Sequence, residues 1–316
     1  MKRRVGLIGA GLIAAVVLSL LLIATGCGDD SSSDASSTSG GAKVDGTPVA
    51  IADKGFTESQ IIAQLYAQAL DAQGYTSSVT SLGSSEIANS AVMKGDIDLY
   101  PEYTGTAYGV LLGKTDVPDS AAEYAAIKTA YADKGLTTLD PSPYSNDNRV
   151  ACTQEAVDQY GLTTLSDLGK ASGELTYSAN PEHLTRTDGL PLLKSDYGVN
   201  FKNVISVALN LRYKPIEDGQ AQCVYAFGTD PQISKDELVV LEDDKGKFQG
   251  LAYENFPVIN TEFFAAQPAV FAQTLEKVDA LLTQAAVSTL NASVDLDKED
   301  PADVAATFLA DNGITE

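Results

Sequence analysis

The stretch Gly95-Asp96-Ile97-Asp98-Leu99-Tyr100-Pro101-Glu102-Tyr103-Thr104-Gly105-Thr106 holds the residues best suited to chemistry. Tyrosine ring faces attract cations through the ring quadrupole. Hydroxyls and free backbone N–H groups hold carboxylates. A loop offering both suits a small zwitterion, and the same residues also read as a strand end with an ordinary glycine turn. Asp96 and Glu102 could form the carboxylate pair of a hydrolase, but turn capping and solvation explain them far more simply. His183 is the only histidine, and no G-x-S-x-G elbow or Ser/His/Asp set stands in a supporting context. One histidine and no clustered ligand spacing argue against a metal site. No cofactor is implied.

The elements that must position this loop follow from periodicity. Pro48–Ala52 reads as a strand, and Asp53–Phe56 as the loop after it. Thr57 and Gln60 have capping-box spacing for a helix to Gln73, with Ile61, Ile62, Leu65, Tyr66 and Leu70 at helical intervals. Tyr75–Leu82 is a strand, Ser84–Lys94 a helix and Ile97–Tyr100 a strand. This β-α-β-α-β order favours parallel strands with helical crossovers. Ligands of such sheets sit beyond the carboxyl ends of the strands, where Lys54 and Tyr103 fall. Ser120–Lys134 and Leu136–Leu139 add a helix and a strand. The Pro-punctuated segment Asp140–Asn148 marks a boundary, after which a second α/β pattern runs to Leu241. Ala252–Asn260 reads as a return crossing, followed by helices at 268–284, 288–292 and 301–312.

The 316 residues are 44% hydrophobic, enough for two lobes, and the formal charge is −22. That balance argues against nucleic acid and against a basic lipid-binding patch. Lys2-Arg3-Arg4, the apolar run Val5–Ile23 and Ala24-Thr25-Gly26-Cys27 have the order of an export signal. Small residues before Cys27 resemble the bacterial lipobox, with Ala24 where Leu is usual. An uncleaved transmembrane anchor is the competing reading. Gly28–Gly41, rich in Ser, Asp and Gly, suits a solvated tether after a lipidated cysteine. Removing residues 1–26 takes away three positive charges and no acids, leaving about −25. In an exported protein Cys152 and Cys223 read first as one disulfide.

Several segments together resemble one family: the substrate-binding proteins of ABC importers for glycine betaine, choline, carnitine and related osmoprotectants. Lys54-Gly55-Phe56-Thr57-Glu58 resembles its K-N-F-T-E, and Gly95–Thr106 its G-E/D-I-D-x-Y-P-E-Y-T-G-T. Glu182-His183-x-x-Arg186-x-Asp188-Gly189 resembles its second-lobe loop E-x-x-x-R-x-D-G. The resemblance covers residues 47–316. It implies an α/β, type II periplasmic-binding-protein fold, two lobes with a hinge and an interlobe cleft. The expected divisions are a lipoprotein signal peptide at 1–26, a tether at 27–46, a first lobe at 47–146 and 254–316, and a second at 147–253. It implies no enzyme. The expected protein is a monomer, anchored outside the cell membrane through Cys27 and serving ABC permease subunits.

The same resemblance assigns the site. Tyr103, Phe227 and Tyr253 would wall an aromatic cage around a quaternary ammonium. Lys54, Thr106 and Arg186 would hold a ligand carboxylate, Arg186 being the natural bidentate partner. Glu182 would orient Arg186 or help close the lobes. Asn148 stands where the family often has a tyrosine, and Phe227 lacks a hydroxyl that several relatives carry. Tyr144 or Tyr100 would then complete the cage, or the site would take a solute larger than glycine betaine, such as carnitine or ergothioneine. Tyr213 is expected to pack, and His183 to sit at the cleft edge. The family fold also sets the strand of Cys152 beside that of Cys223, consistent with their pairing.

Overall fold

The computed structural model describes residues 44–315. The expected signal segment, Cys27 and the tether up to residue 43 lie outside the described residues. The end of that tether belongs to the fold instead. Val44 N donates to Gln73 O at 2.8 Å and Gly46 N to Gly74 O at 2.8 Å, and Val44 packs on the first core. Gly74, at φ +101°, admits this contact, because a Cβ there would lie 2.0 Å from Val44 O.

The first lobe begins with β1 (Pro48–Asp53), α1 (Thr57–Ala72), β2 (Thr76–Ser81), α2 (Ser85–Lys94), β3 (Leu99–Tyr103), α3 (Ser120–Ala132) and β4 (Leu136–Thr138). The second holds β5 (Asn148–Cys152), α4 (Gln154–Tyr160), α5 (Leu165–Ala171), β6 (Thr176–Ala179), α6 (Leu190–Tyr197), β7 (Asn203–Ser206), α7 (Lys214–Glu217), β8 (Cys223–Phe227), α8 (Gln232–Lys235) and β9 (Val239–Val240). The chain returns through β10 (Asn255–Asn260), α9 (Thr261–Ala265), α10 (Ala269–Leu281), α11 (Gln284–Asp295) and α12 (Pro301–Asp311).

Each lobe is built on a five-stranded sheet, ordered β2-β1-β3-β10-β4 in one and β7-β6-β8-β5-β9 in the other. The plans match. β1 pairs in parallel with β2 and β3, and β6 with β7 and β8. Beside each parallel set runs one antiparallel strand fed by an interlobe crossing, β10 against β3 and β5 against β8. Helices cover both sheet faces, so β3 is buried along its whole length, whereas the edge strand β2 is largely exposed. Ile61, Leu65 and Leu70 of α1 pack with Phe271, Leu275 and Val278 of α10 on one face of the first sheet. Val92, Ile127, Phe256 and Val258 pack on the other. Each such fully buried side chain contributes about 1.5–3 kcal/mol.

The two crossings pair with each other. Asn146 N donates to Tyr253 O at 2.9 Å, Ser142 N to Asn255 O at 2.8 Å, and Ser145 bridges Glu254. They form one ribbon between the sheets, which is where a hinge must bend. In the second lobe Cys152 and Cys223 are directly opposed on β5 and β8 and are joined by a disulfide. They lie 71 residues apart in sequence, a closure that the loop-entropy account values at about 4 kcal/mol.

The expected capping box at Thr57 is not formed. Phe56 occupies the N-cap without a side-chain cap, and Thr57 Oγ1 donates to Asp295 Oδ1 of α11 at 2.5 Å. A carboxylate acceptor brought in by the fold replaces the local partner. α11 is longer at both ends than its sequence suggests, and α8 and α9 lie in segments that gave no helical signal. Among the described residues no helix is long and apolar enough to cross a membrane.

Candidate functional site

β1, β3, β6 and β8 all end toward the space between the sheets, and a cavity opens there. Lys54 follows β1, Tyr103 ends β3, Asn180 follows β6 and Phe227 ends β8, as expected for the carboxyl edges of parallel strands. Tyr253, Asn146 and Asn148 enter from the crossing ribbon and its start. The cavity is narrow, with about 40 Å³ free, well below the roughly 300–1,000 Å³ of sites that enclose drug-sized ligands. Lys54, Tyr103, Thr106, Asn148, Glu182, Arg186, Phe227 and Tyr253 all line it.

The loop after β3 is shaped by close approach. Thr106–Leu111 forms a π-helical turn, a geometry frequent at functional sites. Gly105 has ordinary helical φ, so it is required by space. A Cβ there would lie 2.7 Å from both Ala252 O and the Tyr253 ring. Gly189 acts alike in the second lobe, where a Cβ would fall 2.2 Å from His183 O. That contact closes the Glu182–Gly189 loop that presents Arg186.

On the first-lobe wall Lys54 is buried and bonds Glu102 Oε1 at 2.5 Å. Its Nζ stands 4.3 Å from the Tyr103 ring centroid and 5.8 Å from that of Phe56. Burial pushes the Lys54 ammonium down from its ordinary pKa, and Glu102 opposes the shift. Behind the ring, Tyr103 donates to Glu58 Oε1 at 2.6 Å. Tyr144 and Asn146 reach the same oxygen at 2.9 Å each, while Thr229 and Asn291 donate to Oε2 at 2.5 and 2.9 Å. Burial raises the Glu58 carboxyl, and these donors partly offset it. Glu58 thereby ties Tyr103 to Thr229 of the opposite lobe.

The second-lobe wall is a continuous chain. Tyr225 donates to Asn148 Oδ1 at 2.5 Å, Asn148 donates to the Tyr253 hydroxyl at 2.8 Å, and Tyr253 donates to Asp188 Oδ2 at 2.8 Å. Arg186 binds Asp188 through Nε and Nη2 at 2.8 and 2.6 Å and reaches Glu182 at 3.3 Å. Burial works against the Arg186 charge, but Asp188 and Glu182 hold it firmly protonated. Likewise Asp188 stays below its usual range despite burial. Across the cleft, Arg186 Nη2 donates to Thr106 Oγ1 at 3.1 Å.

Several expectations need correction. Of the expected carboxylate set, Thr106 and Arg186 meet, but the Lys54 charge is already matched by Glu102 and the Arg186 charge by Asp188 and Glu182. Asn148 leaves no gap, because Tyr225 fills the space beside it. Neither Tyr144 nor Tyr100 completes the cage. Tyr144 lies behind Tyr103, bonded to Glu58. Tyr100, an odd number of positions from Tyr103 along β3, falls on the opposite face beside Asn89. His183 lines the cavity as expected, as a buried side chain with its ring stacked on Tyr225 at 3.8 Å and its Nε2 3.1 Å from Tyr177 Oη. Tyr213 packs as expected and donates to Asp230. The supposed carboxylate pair is split, with Asp96 exposed and Glu102 buried against Lys54.

The sequence reading missed Phe56, Asn146, Asn180 and Tyr225 as cavity residues. Tyr225 carried a usable signal, since it lies two residues from Phe227 on one strand and so shares its face.

Comparison with known proteins agrees with this architecture. Residues 47–311 match the family described as the substrate-binding domain of ABC-type glycine betaine transport systems, OpuAC. The chain is 29% identical over 277 residues to a glycine-betaine-binding protein of Pseudomonas aeruginosa, covering 84% of this chain and 88% of that one. It is 32% identical over 225 residues to the ergothioneine transport permease/ergothioneine binding protein EgtU of Helicobacter pylori. That match takes in 71% of this chain but only 40% of the longer protein. A crystal structure of a glycine betaine/carnitine/choline ABC transporter superposes with a TM-score of 0.67 at 25% identity, over 86% of this chain and all of the other. The family is one of transport receptors rather than enzymes, and this chain belongs to that family of substrate-binding domains.

Proposed function

We propose that this protein captures a quaternary-ammonium zwitterion between its lobes and delivers it to the membrane subunits of an ABC importer. Glycine betaine is the simplest such solute, and carnitine and ergothioneine are larger ones. The observation that carries the reading is the pairing of unlike walls in one cavity. Rings of Phe56, Tyr225, Phe227 and Tyr253 face it, and the Arg186 guanidinium reaches Thr106 across it. A trimethylated nitrogen cannot donate hydrogen bonds, so ring faces select it, at about 1–2 kcal/mol per desolvated ring. A carboxylate is selected by Arg186. Contacts made to both lobes at once favour the closed state by differential binding. We assign residues 47–146 and 254–316 to one lobe and 147–253 to the other. We further propose an extracytoplasmic protein held at the membrane by lipid on Cys27, as a monomer.

Calorimetric titration with glycine betaine, choline, carnitine, ergothioneine and proline tests the reading. One-to-one binding of a trimethylammonium zwitterion is expected. Arg186→Ala should weaken carboxylate-bearing ligands at least 100-fold and choline far less. Equal losses for both would show that Arg186 does not read the carboxylate. Mass spectrometry of the membrane fraction tests the anchor, since an unmodified Cys27 would remove it.

A further inference from the structure

Among the described residues, Asn180 is the one polar side chain of the second-lobe wall without a partner. It follows β6, is 7% exposed and lines the cavity. Neither atom of its amide makes a hydrogen bond among the described residues, and Oδ1 is fully enclosed. Its neighbours are all engaged. Asn148 holds Tyr225 and Tyr253, Arg186 holds Asp188 and Glu182, and His183 meets Tyr177. A buried amide left unpaired is costly, so a ligand that completes it gains over one that does not.

Glycine betaine cannot complete it. Its methylated nitrogen has no N–H and its carboxylate only accepts. Whichever way the amide is turned, a carboxylate satisfies the NH₂ group and leaves the oxygen bare. Only a group that both gives and takes a hydrogen bond satisfies both ends. We propose that Asn180 reads such a group, a hydroxyl or a ring N–H with an acceptor atom beside it, and that the preferred ligand is a trimethylammonium zwitterion carrying one. This rests on the zwitterion reading above and narrows it to a substrate class.

The test compares matched ligands on the folded wild-type protein and on Asn180→Leu, which keeps the volume and removes both hydrogen-bonding atoms. Carnitine and its 3-deoxy analogue differ only by a hydroxyl, and ergothioneine supplies a ring N–H. At least one donor-bearing betaine should bind the wild type about 10-fold tighter than glycine betaine. In Asn180→Leu that advantage over glycine betaine should vanish. A wild type that does not prefer the donor-bearing ligands overturns the proposal, as does an advantage that persists in Asn180→Leu. Should the variant fail to fold by circular dichroism, the wild-type comparison of carnitine, its deoxy analogue and ergothioneine with glycine betaine decides alone. If glycine betaine binds and the donor-bearing ligands gain nothing, the zwitterion reading survives and this inference falls. If no trimethylammonium zwitterion binds, both fall.

Discussion

Lys54 places its ammonium 4.3 Å from the centroid of the Tyr103 ring while bonded to Glu102 at 2.5 Å. The ring face that would suit a ligand cation therefore already carries a cation of the protein. A ligand ammonium close to that face would meet like charge; Lys54 also stands 5.8 Å from the Phe56 centroid and Arg212 Cζ 4.8 Å from that of Phe227, so among the described cavity rings Tyr225 and Tyr253 are the ones without such a cation. The ion pair sits in a dry place, and removing one partner strands the other. Lys54→Met should destabilise the fold by about 3–5 kcal/mol. Lys54→Met/Glu102→Leu should recover most of that loss, because no charge is left unpaired. Denaturant unfolding of both variants checks this, and equal losses would show that the pair is not the cause.

Gly105 is needed for the room it leaves. Gly105→Ala puts a methyl group 2.7 Å from the Tyr253 ring and from Ala252 O, and the ring must move. Overpacking of this kind costs about 1–3 kcal/mol. Tyr253 also anchors Asn148 and Asp188, so ligand affinity should fall at least 10-fold while the secondary structure stays intact. Titration with the best-bound ligand, together with circular dichroism, separates the two effects.

Asn148→Tyr tests whether the position is an empty ring site. Asn148 is 2% exposed and holds the hydroxyls of Tyr225 and Tyr253. A tyrosine there must displace one of them, so every betaine should bind at least 10-fold more weakly than to wild type. Tighter binding of glycine betaine would instead show that the site accepts another ring.

His183 gives the protein an acid limit. Burial pushes its pKa down to about 3, with Asp188 opposing and Arg186 and Arg212 reinforcing the shift. Below the ordinary value of about 6.5 the unfolded chain takes up a proton that the folded chain refuses. The contribution to stability is therefore complete above about pH 6.5 and is lost as pH falls toward about 3, by at most about 5 kcal/mol. Melting temperature followed from pH 7.5 to 4.5 should drop less steeply in His183→Phe, which keeps a flat ring on Tyr225. An unchanged slope would place the acid sensitivity in other groups. Because His183 is the only histidine, the comparison has no competing imidazole.

The sequence by itself determined the parallel β1, β2 and β3 core, the second α/β lobe and the family. Each is written locally, in helical spacing such as Ile61-Leu65, in strand runs such as Val49–Ala52, or in contiguous motifs such as Gly95–Thr106. It also nominated Lys54, Tyr103, Thr106, Arg186 and Tyr253, since carboxyl ends of strands converge by topology. Only the tertiary structure decided what those residues touch. Glu102 claims Lys54 because the end of β3 and the loop after β1 meet in a dry interior. Thr57 leaves its cap for Asp295, 238 positions away. Tyr225 and Asn180 become cavity residues because β6 and β8 are neighbours in a sheet whose order the chain does not spell out. Periodicity fixes which face a side chain takes, but partners distant in sequence are chosen by packing, where burial makes every unmatched charge or amide costly.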